Sequence, residues 1–353
     1  MMKVQPGLIP YLLLVAYLGV TIYTANQVSI GVWEYFGLRL LLYLAIGIIF
    51  FLGLFVLFEA QLAFIVSQGI QTEVPVSELP SISPELAIAS VIFAFITGSI
   101  CVGVLNFEGV RLTIARLAGS KNNYNPESPI HLTAVVLMCF LLTGIIVLFV
   151  LTGGLEGMAE SIQSVGIDPV ETIVTAVLEV SAAAMGVGYA IRRTERQTLD
   201  RLGLQIPTYR QVMTGIFSGI GFYLVATIFA VVWTAITSPE QLQQQSQAAE
   251  QVTLALSNLP MALLVSVCAA IGEEILMRGA LQPVFGILIT SIFFTLLHTQ
   301  YLFTPTMGLI FLISVGFGVI RRRYNTTTAI ITHFVYNFFP LLLLVLSGGR
   351  IGS

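Results

Sequence analysis

Two adjacent glutamates, Glu273 and Glu274, end an apolar run that begins at Met261, and Arg278 follows one turn later. Asp, Glu, Lys and Arg together make up only 9% of the chain, so composition alone does not account for such a cluster. A charge at membrane depth is costly and marks a functional site by default. Helix geometry sorts the three residues. Glu274 and Arg278 are i and i+4, share a face and can pair. Glu273 is turned about 100° away. One carboxylate is then held by the arginine, and the other, unpaired in low dielectric, is a candidate general acid or base. The same pattern also suits a structural ion pair near the headgroups.

Two further pairs follow on later apolar segments. Phe294 and His298 are four residues apart, as are His333 and Asn337, and these pairs hold two of the chain's three histidines. His333 and Asn337 carry hydrogen-bond donors on one face of the last segment. Such a pair suits an oxyanion, or equally a contact holding two helices together. His298 alone reads as readily as a satisfied core histidine. The third, His131, stands beside Pro129 at the entrance to a span without polar helix-mates, and reads as structural or interfacial. Three polar constellations in succession are harder to explain as three unrelated pieces of helix glue.

The elements that must position these residues are membrane helices. The 353 residues are 56% hydrophobic, with mean hydropathy +0.93, above the roughly 45–50% of soluble domains. Apolar runs of about 18 residues or more recur throughout. The expected fold is all-α: a polytopic transmembrane bundle of about ten spans. These are Leu8–Thr24, Gly37–Phe58, Glu85–Phe107, Ile130–Thr152 and Val170–Ile191, then Val212–Thr237, Leu254–Met277, Val284–Tyr301, Met307–Ile320 and Thr327–Leu346. Met1, Met2 and Lys3 before an apolar stretch imitate a secretory signal, but no small-x-small cleavage site follows, so the first helix is expected to stay in place. Net charge is −3 and offers no basic field for nucleic acid. Cys101, Cys139 and Cys268 lie in apolar runs with no CxxC pair and read as small buried hydrophobes.

Arg111, Arg116 and Lys121, then Arg192, Arg193, Arg196, Arg201 and Arg210, then Arg321, Arg322 and Arg323 follow alternate spans. The positive-inside rule puts these loops in the cytoplasm, with Arg278 and the glutamates toward that side. The opposite loops carry Glu73 and Glu78, then Glu156, Glu160 and Asp168, then Gln241 to Gln247. The segment with Pro75, Pro80 and Pro84 reads as an outer loop, and Gln241–Gln251 as a polar spacer or short interfacial helix. No internal repeat of the kind common in transporters is visible. The chain divides into a five-span region over residues 1–191, a basic cytoplasmic loop over 192–211, and a core over 212–346.

Glu273-Glu274-x3-Arg278, Phe294-x3-His298 and His333-x3-Asn337, in that order on separate apolar spans, resemble the motifs of the CPBP family, the CAAX prenyl proteases and bacteriocin-processing enzymes also called Abi. The resemblance covers about Val252–Leu346. Arg201-Leu-Gly-Leu204 with Pro207 resembles the loop that often precedes the family's core. The interval from Glu274 to His298 is shorter than in many members, and a compact connection through Pro283 and Gly286 would absorb it. The resemblance implies an intramembrane endopeptidase acting on a membrane-associated peptide or protein, prenylated if it follows the eukaryotic members, with a cavity toward the cytoplasmic side of a cell membrane. It implies that Glu273 activates water together with His298, that Glu274 and Arg278 shape the site with Glu274 open to base chemistry, that His333 and Asn337 bind the oxyanion, and that Phe294 packs beside the histidine.

No cofactor is favoured. His298, His333 and Glu273 would make a two-histidine, one-carboxylate site for Zn2+ or another divalent metal, but HExxH is absent and Asn337 suits an oxyanion better than a metal. A non-catalytic scaffold or bacteriocin self-immunity protein is the rival reading, followed by a proton-coupled transporter relaying protons through Glu and His.

Overall fold

The structure, a computed structural model, describes residues 8–67, 82–119, 121–237, 256, 258–301 and 304–346. The expected loop around Pro75 and Pro80, with Glu73 and Glu78, and the Gln-rich segment 241–251 lie outside the described residues, as does Lys3. Among the described residues the fold is all-α, without a strand, and nine helices are long and apolar enough to cross a membrane. The chain is an integral multi-pass membrane protein. The expected seventh and eighth spans are counted as one stretch, Leu259–Leu297.

The N-terminal spans are α1 (Leu8–Ser29), α2 (Tyr35–Ser67), α3 (Pro84–Asn106), α5 (Pro129–Leu151) and α7 (Pro169–Val187). Short amphipathic helices fill three connections: α4 (Glu108–Ala118), α6 (Gly154–Val165) and α8 (Glu195–Leu202). Then come α9 (Tyr209–Ile236) and α10 (Leu259–Glu274), a π-helical segment (Ile275–Leu281), α11 (Gln282–Leu297), α12 (Pro305–Arg323) and α13 (Thr326–Leu346).

Sequence punctuation starts these helices. Pro84, Pro129, Pro169 and Pro305 stand in first turns, where a missing N–H costs nothing. Asp168 Oδ1 accepts from Val170 N at 2.8 Å, Asn258 Oδ1 accepts from Met261 N at 2.9 Å, and Thr194 and Thr208 each close a capping box with a glutamine. The long helices leave many large apolar side chains exposed, among them Phe36, Leu40, Phe51, Ile228 and Val231. On a span these face lipid.

The first core lies between α1, α2, α3 and α5, around Leu38, Leu42, Ile49, Ala94, Val136 and Phe140. Thr97 on α3 and Thr143 on α5 share a hydrogen bond of 2.8 Å inside it. Cys101 and Cys139 are buried free thiols, and Cys268 is free and half-buried. In the second half α13 packs on α9 and α10, and α7 packs on α10 as well as on α1. At Gly272 the approach of α7 to α10 is so close that a Cβ would collide with Glu179 Oε2 and lie 3.1 Å from Ala176 Cα.

The basic connections meet at one end of the bundle. Arg192 Nε donates to Asn26 Oδ1 on α1 at 2.8 Å, and Arg201 Nη1 donates to the Gly279 carbonyl at 2.9 Å. The second contact has a cause in the sequence. Pro283 has no N–H, so the carbonyl of Gly279, four residues earlier, loses its α-helical donor, and Arg201 takes that place. Thr326 Oγ1 donates to the Leu202 carbonyl at 2.5 Å and Thr326 N to the Gly203 carbonyl at 3.1 Å, tying the same connection to the start of α13. The loop flagged by Arg201-Leu-Gly-Leu204 thus braces two elements of the core.

Pro283 and Gly286 form the compact connection. The Pro283 carbonyl accepts from Asn123 N at 2.9 Å, and Gly286 breaks α11 at φ 76°, ψ 175°, a conformation essentially restricted to glycine. The stretch from Gly286 to Leu297 then reaches only about 16 Å at 1.5 Å per residue, roughly half of a ~30 Å hydrocarbon core. The expected eighth span, Val284–Tyr301, is therefore a half-length helix after a bend. A Cβ at Gly286 would also lie 2.5 Å from the Ala118 carbonyl. Gly286→Ala is expected to cost about 1–3 kcal/mol, read as a lower melting temperature in detergent with the rest of the helix content retained.

Candidate active site

The Glu pair sits at the end of α10, immediately before the π segment. Glu274 and Arg278 are both fully buried. Arg278 Nε donates to Glu274 Oε2 at 3.1 Å, as the i, i+4 spacing predicts. Arg278 Nη2 donates to Ser314 Oγ on α12 at 2.9 Å, and the guanidinium carbon lies 5.2 Å from the centre of the Phe294 ring. Cation–π contact of this kind is strongest away from water.

The other oxygen of Glu274 reaches a third element. Its Oε1 accepts from Nδ1 of His333 on α13 at 3.0 Å. The His333 ring stacks on Phe317 of α12 with centroids 4.9 Å apart and meets Phe294 edge-on at 6.2 Å. One buried carboxylate therefore joins α10, the π segment and α13, and Arg278 extends the network to α12.

His298 stands one ring away from this network. It is the residue where α11 stops, with φ −88° and ψ 64°, and its Nδ1 folds back on the Phe294 carbonyl at 2.8 Å. The two rings are 4.6 Å apart, so they share a face although His298 ends the helix. Asn337 follows His333 by one turn on α13 and is half-buried.

Glu273 points elsewhere, toward α7. Its Oε2 is buried without a hydrogen-bond partner among the described residues. The carboxylate lines a cavity of about 380 Å3 with Glu179, Cys268, Asp168 and Glu171, and it lies within electrostatic reach of both Glu179 and His333. Glu179 escaped the motif-based reading. The signal was present: a lone ionisable residue in mid-span. Ser314 and Phe317 were also missed, because single small or aromatic residues on an apolar helix give no signal. His131 takes a structural part, its Nδ1 accepting from Asn125 N at 2.9 Å and its ring stacked on Tyr124.

The candidate ligands His298, His333 and Glu273 do not come together as a metal set. Among the described residues no group of three or more His, Cys, Asp or Glu side chains is arranged to hold a metal ion; the Glu274 contact occupies Nδ1 of His333 and leaves its Nε2.

Residues 255–339 match a family model described as type II CAAX prenyl endopeptidase Rce1-like. No curated protein and no solved structure matches the chain. Every residue from Glu273 to Asn337 discussed above falls inside the matched segment, and α1 to α9 lie outside it. The motifs, the buried network they build and this match agree: over residues 255–339 the chain carries a domain of the CPBP family of CAAX-type intramembrane proteases, of the Rce1-like kind.

Proposed function

We propose that the protein is an intramembrane endopeptidase in which Glu273 activates the attacking water. The observation that carries this reading is the division of labour between adjacent carboxylates inside the matched segment: Glu274 is held on both oxygens, while Glu273 keeps a buried oxygen without a partner among the described residues. A carboxylate with a free oxygen can take a proton from water as it attacks a scissile carbonyl, then return it to the departing amine. The family resemblance gives His298 a share in the same water; its Nδ1 is occupied by the Phe294 carbonyl, which leaves Nε2 for that part. Glu274 and Arg278 hold His333, and His333 with Asn337 one turn on binds the tetrahedral oxyanion.

A second reading rests on the Glu274–His333 bond. A carboxylate accepts, so Nδ1 donates, and a neutral ring then has only a lone pair at Nε2. The oxyanion role requires the doubly protonated ring. A neutral His333 oriented by Glu274 would instead be the base, as in other carboxylate–histidine pairs. A scaffold or self-immunity role, or a proton-coupled transporter, has no comparable observation in its favour.

The substrate class follows the family resemblance: a peptide or protein at the bilayer, with a C-terminal tripeptide beyond a prenylated cysteine as the first candidate. The arginine-rich end of the bundle, by the positive-inside rule, faces the cytoplasm of a cell membrane, and the Glu pair lies toward that end. The division into residues 1–191, 192–211 and 212–346 serves this reading, with catalysis in the last part. The test offers detergent-purified protein a quenched library of farnesylated and unmodified peptides, with and without a strong chelator. Cleavage that survives chelation supports the glutamate-activated water. Cleavage abolished by chelator and restored by Zn2+ overturns it in favour of a metal, and cleavage of no peptide turns the reading toward the scaffold.

A further inference from the structure

A second cavity, of about 450 Å3, lies between α1, α5, α7 and the π segment. Its volume falls within the roughly 300–1,000 Å3 usual for small-molecule sites. Its body is apolar, with Leu137, Leu281, Phe285 and Phe293 among its walls. Arg192, Arg193 and Arg201 also line it. Glu273, Glu274, His298 and His333 do not, so it is separate from the site described above.

The three guanidiniums are the unusual feature. All are half-buried, and none forms an ion pair with a carboxylate among the described residues. Their donors go to neutral oxygens: Arg192 to Asn26 and the Val187 carbonyl, Arg193 to the Val187 carbonyl, and Arg201 to the Gly279 and Ala280 carbonyls. Burial, and then Arg193, Arg321 and Arg192, pull the Arg201 guanidinium down to about 10. Partly desolvated like charges without a counterion are costly, and an anion would relieve all three at once. A further sign comes from Thr133, which lines the same cavity, is 2% exposed and has a hydroxyl without a partner among the described residues. Apolar walls, a buried hydroxyl and three arginines describe an amphiphile with an anionic head.

We propose that this cavity binds one acyl chain of an anionic membrane phospholipid, with the lipid phosphate on Arg192, Arg193 and Arg201. Bidentate guanidinium contacts suit phosphate, and basic pockets between membrane helices take anionic headgroups. Bound there, the lipid would join α1, α5 and α7 to the π segment that follows the Glu pair.

The test uses the full chain in a neutral maltoside detergent, with native mass spectrometry counting retained lipid. The probes are phosphatidylglycerol, phosphatidylcholine with the same chains, and sodium phosphate. One phosphatidylglycerol per chain is expected to bind saturably, about tenfold or more tighter than phosphatidylcholine. Arg192→Gln with Arg193→Gln should erase that preference. Gly186→Leu should reduce retention of both lipids, because Gly186 lines the cavity and an added Cβ there meets nothing within 4 Å. The two variants act on opposite ends of the ligand, and melting temperatures without lipid separate lost binding from lost folding. Equal retention of the two lipids by wild type, or undiminished phosphatidylglycerol binding in both folded variants, overturns the proposal. Displacement of the lipid by sodium phosphate at matching concentration overturns it in favour of a free-anion site.

Discussion

Glu273→Gln is expected to lower peptide cleavage by about a hundred- to ten-thousand-fold, the usual worth of a positioned general base. Glutamine keeps the shape and loses the base, so folding and substrate affinity should change little. Among the described residues Glu273 forms no ion pair and its Oε2 has no hydrogen-bond partner, so the change breaks no buried network there. The measurement is kcat for a cleaved peptide beside a melting curve in detergent. A glutamine variant that still cleaves at near the wild-type rate would remove Glu273 from the chemistry and favour the neutral His333 as base. The neighbouring Glu179 makes the comparison more demanding: it faces the same cavity, so residual activity calls for the Glu179→Gln, Glu273→Gln double variant before the base is reassigned.

The second large effect is structural. Arg278→Leu should destabilise the fold by about 3–5 kcal/mol, because it strands the Glu274 carboxylate in a dry interior. Arg278 is fully buried and touches Glu274, Ser314 and Phe294, so α10, α11 and α12 all lose a contact. The diagnostic is the pair. Changing Glu274 to leucine as well removes the stranded charge, and the double variant should recover much of the lost melting temperature while remaining without cleavage. If Arg278→Leu melts like wild type, the buried network is not what holds these helices together.

The helices and the order of the motifs were legible from the sequence because hydropathy and four-residue spacing are local properties. Glu274 with Arg278, and Phe294 with His298, meet as a helical wheel requires. What depends on distant chain was not legible. The Glu274–His333 bond joins residues 59 apart, and the spacing gave no sign that it would be the second glutamate, rather than the first, that the histidine holds. Glu179 reaches Glu273 only because Gly272 lets α7 come close. The half-length of the helix before His298 follows from the bend at Gly286, and a lone glycine in an apolar run does not announce which bend it makes. The three amphipathic connecting helices were read as loops because hydropathy reports their charge and not their periodicity.

The π segment has a consequence for reading related chains. Each i→i+5 turn holds about one residue more than the α-helical turn, so the faces before and after Ile275–Leu281 are out of phase with a uniform helix. On one side of it the glutamates are aimed at α7 and α13. On the other, Pro283 and Gly286 are anchored to the connection after α4. A single-residue deletion inside the segment that restored the α-helical repeat would leave the two faces close to their present phase, whereas the same deletion in a regular α-helix would swing one face by about 100° relative to the other. Counting residues between motifs is therefore a poor ruler here: two sequences with identical motifs and intervals differing by one can keep the same glutamate on the same wall of the bundle, the π segment taking up the extra residue.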